Sequence, residues 1–265
     1  MVRAVPGWLR ACGWVFVILT GAFMLAPLVV VMGVSVSESQ FVAFPPRGLS
    51  LRWYEKALGT VAYLDAFWLS LGLAALVTVS ATLLGGAAAI GLSRGKPGGP
   101  AETFFLSPLV LPSIIFAIGL LMLWSSVFGA TNFYALWLAH TIVALPYVIR
   151  TTMAVLAERD PFVDEAARTL GAGRLQRLWL VTLPQCIPGL AAGAFFAFNI
   201  SFDEAVLSLF LRNPNLTTLP VQIYGQLEFS PDPTVAAVST IMILITVALM
   251  LLLDRLLGLN RFASG

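Results

Sequence analysis

Forty-seven consecutive residues, Thr103 to Ile149, carry no formal charge. As one helix they would reach about 70 Å, more than twice the ~30 Å hydrocarbon thickness of a bilayer. Gly129-Ala130-Thr131-Asn132 divides the run into two helices joined by a short loop. The same pattern governs the rest of the chain, in which 59% of residues are hydrophobic and 11% are charged. Soluble domains carry about 25% charged residues, so charge here is too sparse to coat a globule. The sequence is that of an all-α integral membrane protein, one domain of six transmembrane helices at about residues 11–34, 66–93, 103–128, 133–157, 178–210 and 233–258.

The amino terminus superficially matches a signal peptide, with Arg3 and Arg10 ahead of an apolar run. That run, Ala11 to Val34, is 24 residues long, whereas a cleavable apolar region has roughly 7–15, and it reads as a retained first span. In the polar stretch that follows, Leu51, Tyr54, Leu58 and Val61 recur at helical spacing, which predicts a short amphipathic helix at an interface. Arg94-Gly95-Lys96-Pro97-Gly98-Gly99-Pro100 is a tight turn, and Arg212-Asn213-Pro214-Asn215 another. Leu219 to Phe229 reads as a short surface helix or hairpin.

Six spans put both termini on one side. With that side inside, eleven of the 15 basic residues are internal: Arg3, Arg10, Arg94, Lys96, Arg150, Arg159, Arg168, Arg174, Arg177, Arg255 and Arg261. Arg47, Arg52, Lys56 and Arg212 are external. This bias predicts cytoplasmic termini and places residues 160–180 in the cytoplasm.

That segment, from Asp160 to Pro184, is the longest charge-rich island of the chain. Asp160 followed by Pro161 is a helix start, an N-cap acceptor and then a residue whose missing N–H costs nothing there. Gly171 and Gly173 permit the left-handed residue that ends a helix, and a second short helix begins near Arg174. Ala166 and Ala167 keep the backbone close to the helix surface, suited to docking in a groove of another protein. The i+3 spacing offers a Glu165–Arg168 ion pair, while Arg174 and Arg177 read as a solvated face.

Glu165-Ala166-Ala167, three residues, Gly171, nine residues, Val181, one residue and Leu183-Pro184 resemble the EAA signature of permease subunits of binding-protein-dependent ABC importers, with Val where the family has Ile. Leu138-Ala139-His140-Thr141, Leu145-Pro146-Tyr147, Ser201-Phe202-Asp203-Glu204, Thr217-Thr218-Leu219-Pro220-Val221 and Ala236-Ala237-Val238-Ser239-Thr240 are similar to the spermidine/putrescine PotC-like branch. The resemblance implies the type I ABC importer permease (MetI-like) fold in a bacterial inner membrane, with a cytoplasmic coupling helix. Asp164, Glu165, Ala166, Ala167, Leu170 and Gly171 would then contact the ATPase. It also implies a second, PotB-like permease in a heterodimer, two cytoplasmic ATPases carrying ATP and magnesium, an external substrate-binding protein, lipid around the spans, and no nucleic acid. Amino acids, opines, phosphonates and ferric iron are cargoes of related permeases.

Asp203 and Glu204 follow an uncharged run near the outer part of the fifth span. A charge at mid-bilayer costs roughly 2.5–3.5 kcal/mol, so such residues face an aqueous path or a partner. A carboxylate in the path suits a cationic substrate such as a polyamine. The alternative is a helix-end contact or an ion pair with Arg212, and for Glu204 that is the favoured reading.

His140 is the sole histidine and reads as a hydrogen-bonded packing residue, since zinc requires three or four ligands. Gly189 and Gly193 form a GxxxG apt for close helix contact, with a second permease as one partner. Trp124, Trp137 and Trp179 read as interfacial belt residues, and Cys12 and Cys186 as small buried apolar side chains. Gly91 to Lys96 has one residue too few for a phosphate loop, and Pro97 stands where Ser or Thr would bind magnesium, so no cofactor is expected on this chain. An autonomous secondary transporter would want inverted repeats and several intramembrane ionisable groups; beyond Asp203 and Glu204 only His140 qualifies, and no repeat is evident.

Overall fold

The computed structural model describes residues 6–257 apart from 94, 96 and 97. Arg3, Arg94, Lys96, Pro97 and Arg261, used above in the charge count and the turn, lie outside the described residues, as does residue 258 at the end of the sixth run. Helices α1 (Gly7–Ser35), α3 (Val61–Leu92), α6 (Phe133–Ala157) and α12 (Thr234–Leu257) are long and apolar enough to cross a bilayer. So is the continuous helix Arg174–Phe202. The shorter helices are α2 (Arg52–Gly59), α4 (Pro100–Leu106), α5 (Ser113–Phe128), α7 (Pro161–Thr169), α8 (Arg174–Arg177), α9 (Leu183–Phe202), α10 (Val206–Leu211) and α11 (Leu219–Phe229).

Residues 103–128 do not form one straight helix. The Pro100–Leu109 segment meets α5 at 99°. Pro108 lies in a 3-10 turn and Pro112 caps α5 with φ −58°, and neither ring nitrogen can donate to the helix ladder. Helix α5 alone is 16 residues, about 24 Å long, so a full crossing requires the bent pair.

The chain divides into two compact units. The larger comprises Ala62–Tyr224 and the chain from Ile245. Its core joins Leu73, Val77 and Ala81 of α3, Ala117 and Leu120 of α5, Leu136, Ala139, Ala144 and Val148 of α6, Ala197 of α9, and Leu207 and Leu211 of α10. Helices α6 and α9 approach backbone to backbone, where Gly189 and Gly193 face the α6 backbone. A Cβ on Gly193 would lie 2.7 Å from Thr151 Oγ1 and 2.8 Å from Val148 Cα, and one on Gly189 would lie 2.8 Å from the Thr151 carbonyl oxygen. The GxxxG is therefore spent inside the chain, against α6, which corrects its assignment to a second permease. Gly85 makes a similar approach from α3, its missing Cβ 2.9 Å from Val148 Cβ. Without a hydrophobic driving force between helices in lipid, such close backbone contact supplies the packing.

Two hydroxyls and an indole inside this unit are paired across helices. Trp137 Nε1 donates to Ser80 Oγ at 3.1 Å, and Ser80 lies 3.1 Å from Thr141 Oγ1. Trp137 thus belongs to the core contact between α3 and α6 and not to an interfacial belt, whereas Trp179 is exposed. The first turn of α11 is buried rather than at the surface, and its Leu219 N–H donates to Ser70 Oγ at 2.7 Å. Cys186 is buried and Cys12 is exposed on α1.

The smaller unit comprises the chain up to Val61 and Gly225–Leu244. Helix α1 is apolar all round, and its Trp14, Phe16 and Phe23 lack protein cover, the pattern of a helix set in lipid. The loop after it is pinned by Trp53 Nε1 donating to the Ser37 carbonyl at 2.7 Å and by a 2.7 Å contact between Ser35 Oγ and Tyr54 Oη. Helix α2 buries Trp53 and Ala57, while Leu51, Leu58 and Val61 remain exposed. The helix therefore packs through its indole, which is large and able to donate a hydrogen bond, and leaves those apolar side chains uncovered.

Gly193→Ala is expected to lower the stability of the purified permease by about 1–3 kcal/mol through overpacking of α6 on α9. Gly72→Ala, with open space at its missing Cβ, serves as the neutral comparison in the same thermal unfolding assay.

Candidate functional site

Two regions of the larger unit gather the charged side chains singled out above, and the α6–α9 pair positions both. The first is the connection between these helices. Asp160 caps α7, its Oδ1 accepting from the Phe162 N–H at 2.9 Å, with Pro161 at the first helical position. The other end closes in a Schellman arrangement: the Gly171 N–H reaches the Arg168 carbonyl, and the Ala172 N–H the Ala167 carbonyl, both at 3.0 Å. Gly171 holds φ +84°, where a side chain would be strained. Gly173 then donates to Gln176 Oε1 at 2.9 Å as α8 begins.

From Arg174 the helix continues through a wide turn, Leu178–Thr182, in which the Leu183 N–H donates to the Leu178 carbonyl five residues back. The expansion sits directly before Pro184, whose ring crowds the preceding turn.

Asp164 is drawn inward: its Oδ2 accepts from Arg177 Nη1 at 2.6 Å. Arg177 is therefore not a solvated side chain but the tie between α7 and α8. Arg159 Nη1 adds a 3.3 Å bond to Thr182 Oγ1. With Ile90, Ser93, Arg174 and Leu178 these side chains line a cleft of about 480 Å³. Glu165 is exposed and makes no ion pair with Arg168 among the described residues. Phe162, Ala166 and Leu170, at i, i+4 and i+8, form an exposed apolar stripe, with Phe162 71% and Leu170 88% exposed. Ala167 is half-buried beneath it.

The second region is the break between α9 and α10. The two acidic residues have separate fates there. Glu204 Oε1 accepts from the Val206 and Leu207 N–H groups at 3.0 and 3.1 Å, capping α10. Asp203 is exposed, and no ion pair to Arg212 or any other residue is present among the described residues. His140 of α6 is buried and reaches both sides of the break, to Ser201 Oγ at 3.0 Å through Nδ1 and to Ser208 Oγ at 3.1 Å through Nε2. Ser201 and Ser208 lie 61 and 68 residues from His140, so no local pattern in the sequence links the three. Phe202, stacked on Phe198 with centroids 5.4 Å apart, anchors the end of α9. Among the described residues no group of three or more potential metal ligands occurs.

Residues 81–260 match the family described as the binding-protein-dependent transport system inner membrane component. The chain belongs to that family. This permease is 32% identical over 238 residues to the putrescine transport system permease protein PotI of Escherichia coli (strain K12), covering 86% of this chain and 84% of the relative. It is 30% identical over 241 residues to the spermidine/putrescine transport system permease protein PotC of Haemophilus influenzae, covering 89% and 93%. Its fold is shared with a chain of a bacterial alginate ABC transporter solved in complex with an alginate pentasaccharide-bound periplasmic protein, with a TM-score of 0.70, 14% identity, and 94% and 93% of the two chains covered. The permease is a multi-pass inner-membrane transport subunit of the type I importer fold and not an enzyme, and ATP hydrolysis belongs to a separate subunit of such systems.

Glu204→Ala is expected to cost about 1 kcal/mol by removing the cap of α10, while Glu204→Gln retains most of it. Asp203→Asn should leave the unfolding temperature of the same purified permease unchanged.

Proposed function

We propose that this permease forms half of an inward path for polyamines or a related small cation, with Asp203 as the carboxylate that meets the substrate. The observation that carries this reading is the contrast at the α9–α10 break: Glu204 is consumed as a helix cap, whereas Asp203 is exposed and outside both ion pairs found among the described residues. An ammonium group attracted to that carboxylate gains more in a confined, low-dielectric path than in bulk water. The putrescine and spermidine names carried by relatives at 30–32% identity support the same cargo class.

In this reading α7 is the coupling helix. It is capped at both ends, tied at its base through Asp164 and Arg177, and presents Phe162, Ala166 and Leu170 outward beside Glu165. A helix fixed in this way transmits a rigid-body push from an ATPase. The basic-residue bias supports a cytoplasmic position for it and for both termini. A second, PotB-like permease completes the path in a heterodimer, two cytoplasmic ATPases hold ATP and magnesium, and a periplasmic binding protein delivers the substrate. ATP binding shifts access only if nucleotide and substrate bind the inward and outward states with different affinity.

In proteoliposomes containing the whole importer, Asp203→Asn is expected to raise the KM for putrescine about tenfold, the loss of one charge pair in a partly desolvated path. Unchanged uptake kinetics would remove Asp203 from the path. Replacing Leu170 by Glu should abolish uptake and ATPase co-purification together, because it puts a charge on the exposed apolar stripe while leaving the core intact.

A further inference from the structure

The cleft at the base of α7 carries more positive charge than its own bonds use. Its lining comes from the ends of three helices long enough to span a bilayer. Ser93 follows the end of α3, Arg159 lies two residues beyond α6, and Arg174, Arg177 and Thr182 belong to the first turns of the Arg174–Phe202 helix. Asp164 of α7 is the one acid among the described residues that line it. Three guanidinium groups against one carboxylate leave the lining two positive charges in excess.

Asp164 is committed to Arg177, and that pair is neutral within itself. The excess therefore sits on Arg159 and Arg174, neither of which enters an ion pair among the described residues. Arg159 is half-buried and spends Nη1 on a neutral partner, the Thr182 hydroxyl at 3.3 Å. A guanidinium has five N–H donors, so most of its fork is left over. Arg174 is exposed on the opposite element of the same cleft, which gives a ligand access from outside. Two guanidinium groups lining one space suit a phosphate, which accepts paired N–H bonds from each fork. A polyamine is repelled by the same charge.

The position of the cleft selects the source of that phosphate. Where three spans end, hydrocarbon gives way to headgroups. Leu175 and Trp179, four residues apart on the helix that carries Arg174, are 67% and 60% exposed. Exposed tryptophan beside arginine at the end of a span is the pattern of a helix seated at headgroup level. We propose that this cleft binds the phosphate of an anionic phospholipid headgroup, held by Arg159 from the α6 side and by Arg174 from the α8 side. Basic pockets between spanning helices recognise such headgroups, and the excess of two charges favours an anionic lipid over a zwitterionic one. The bound lipid ties the end of α6 to the start of α8 and so steadies the connection that carries α7. This goes beyond the transport reading and depends on neither its cargo nor its sidedness, since both leaflets carry phosphate.

The test titrates the complete importer in detergent with dioleoylphosphatidylglycerol, dioleoylphosphatidylcholine or glycerol phosphate, and counts the molecules retained per complex by native mass spectrometry. The wild type should retain phosphatidylglycerol in preference to phosphatidylcholine. The double variant Arg159→Gln, Arg174→Gln should raise the half-saturating phosphatidylglycerol concentration about tenfold or more, two cationic contacts being lost at the membrane surface. Replacing both by Lys should recover part of the affinity, because an ammonium keeps the charge but not the fork. Arg212→Gln, beyond the far end of α9, should bind as the wild type does. Equal retention of the two lipids by the wild type, or equal half-saturation in the wild type and the double Gln variant, overturns the inference and leaves the transport reading intact. If glycerol phosphate alone fills the site as tightly as the lipid, the cleft takes a dissolved phosphate and the inference fails. It fails also if the lipid is retained only after the ATPases are stripped off, because an ATPase then occupies the cleft.

Discussion

The close approach of α6 and α9 is the contact on which the larger unit depends. Gly189 and Gly193 let the α9 backbone settle against Val148, Thr151 and Thr152 with no side chain between. Everything chemically distinctive in this unit hangs from that pair. The α7–α8 connection is the loop that joins their near ends, and the α9–α10 break lies at the far end of α9. Apolar burial alone would not hold them so firmly, since lipid competes on equal terms for Leu and Val, whereas backbone-to-backbone contact has no lipid equivalent.

Around that frame the acidic side chains divide by what they are bonded to. Asp164 is neutralised by Arg177, Asp232 by Lys56, and Glu204 by two backbone N–H groups. Asp203 and Glu165 are exposed and take part in neither ion pair. The bonded carboxylates hold the scaffold, and the exposed ones do not. Among the basic groups Arg177 and Lys56 are structural in the same sense, each bonded to one of these carboxylates.

Breaks in the helices are the other recurring device. Proline interrupts the ladder at Pro108 and Pro112, and a widened turn precedes Pro184, so that long apolar runs become bent or expanded segments. Each break exposes backbone polar groups that must be met from elsewhere. At the α9–α10 break Glu204 supplies acceptors, and His140 bridges Ser201 and Ser208 across the gap.

Much of this was readable from the residues alone, wherever the determining interaction is local. The apolar runs mark the long helices because burial in lipid depends on composition over about 20 residues. Asp160-Pro161 and Gly171 delimit α7 because caps and left-handed turns involve neighbours only a few positions apart. The hydrogen-bonded role of His140 followed from its being alone in a span, although its two serine partners did not. Tertiary structure alone decided which of two adjacent carboxylates is free, that Arg177 reaches Asp164, that Trp137 turns to Ser80, and that the GxxxG serves α6. It also decided that α2 packs through its tryptophan. Each of these depends on groups brought together from distant positions or on the direction of a side chain at a helix break, which periodicity and spacing do not encode.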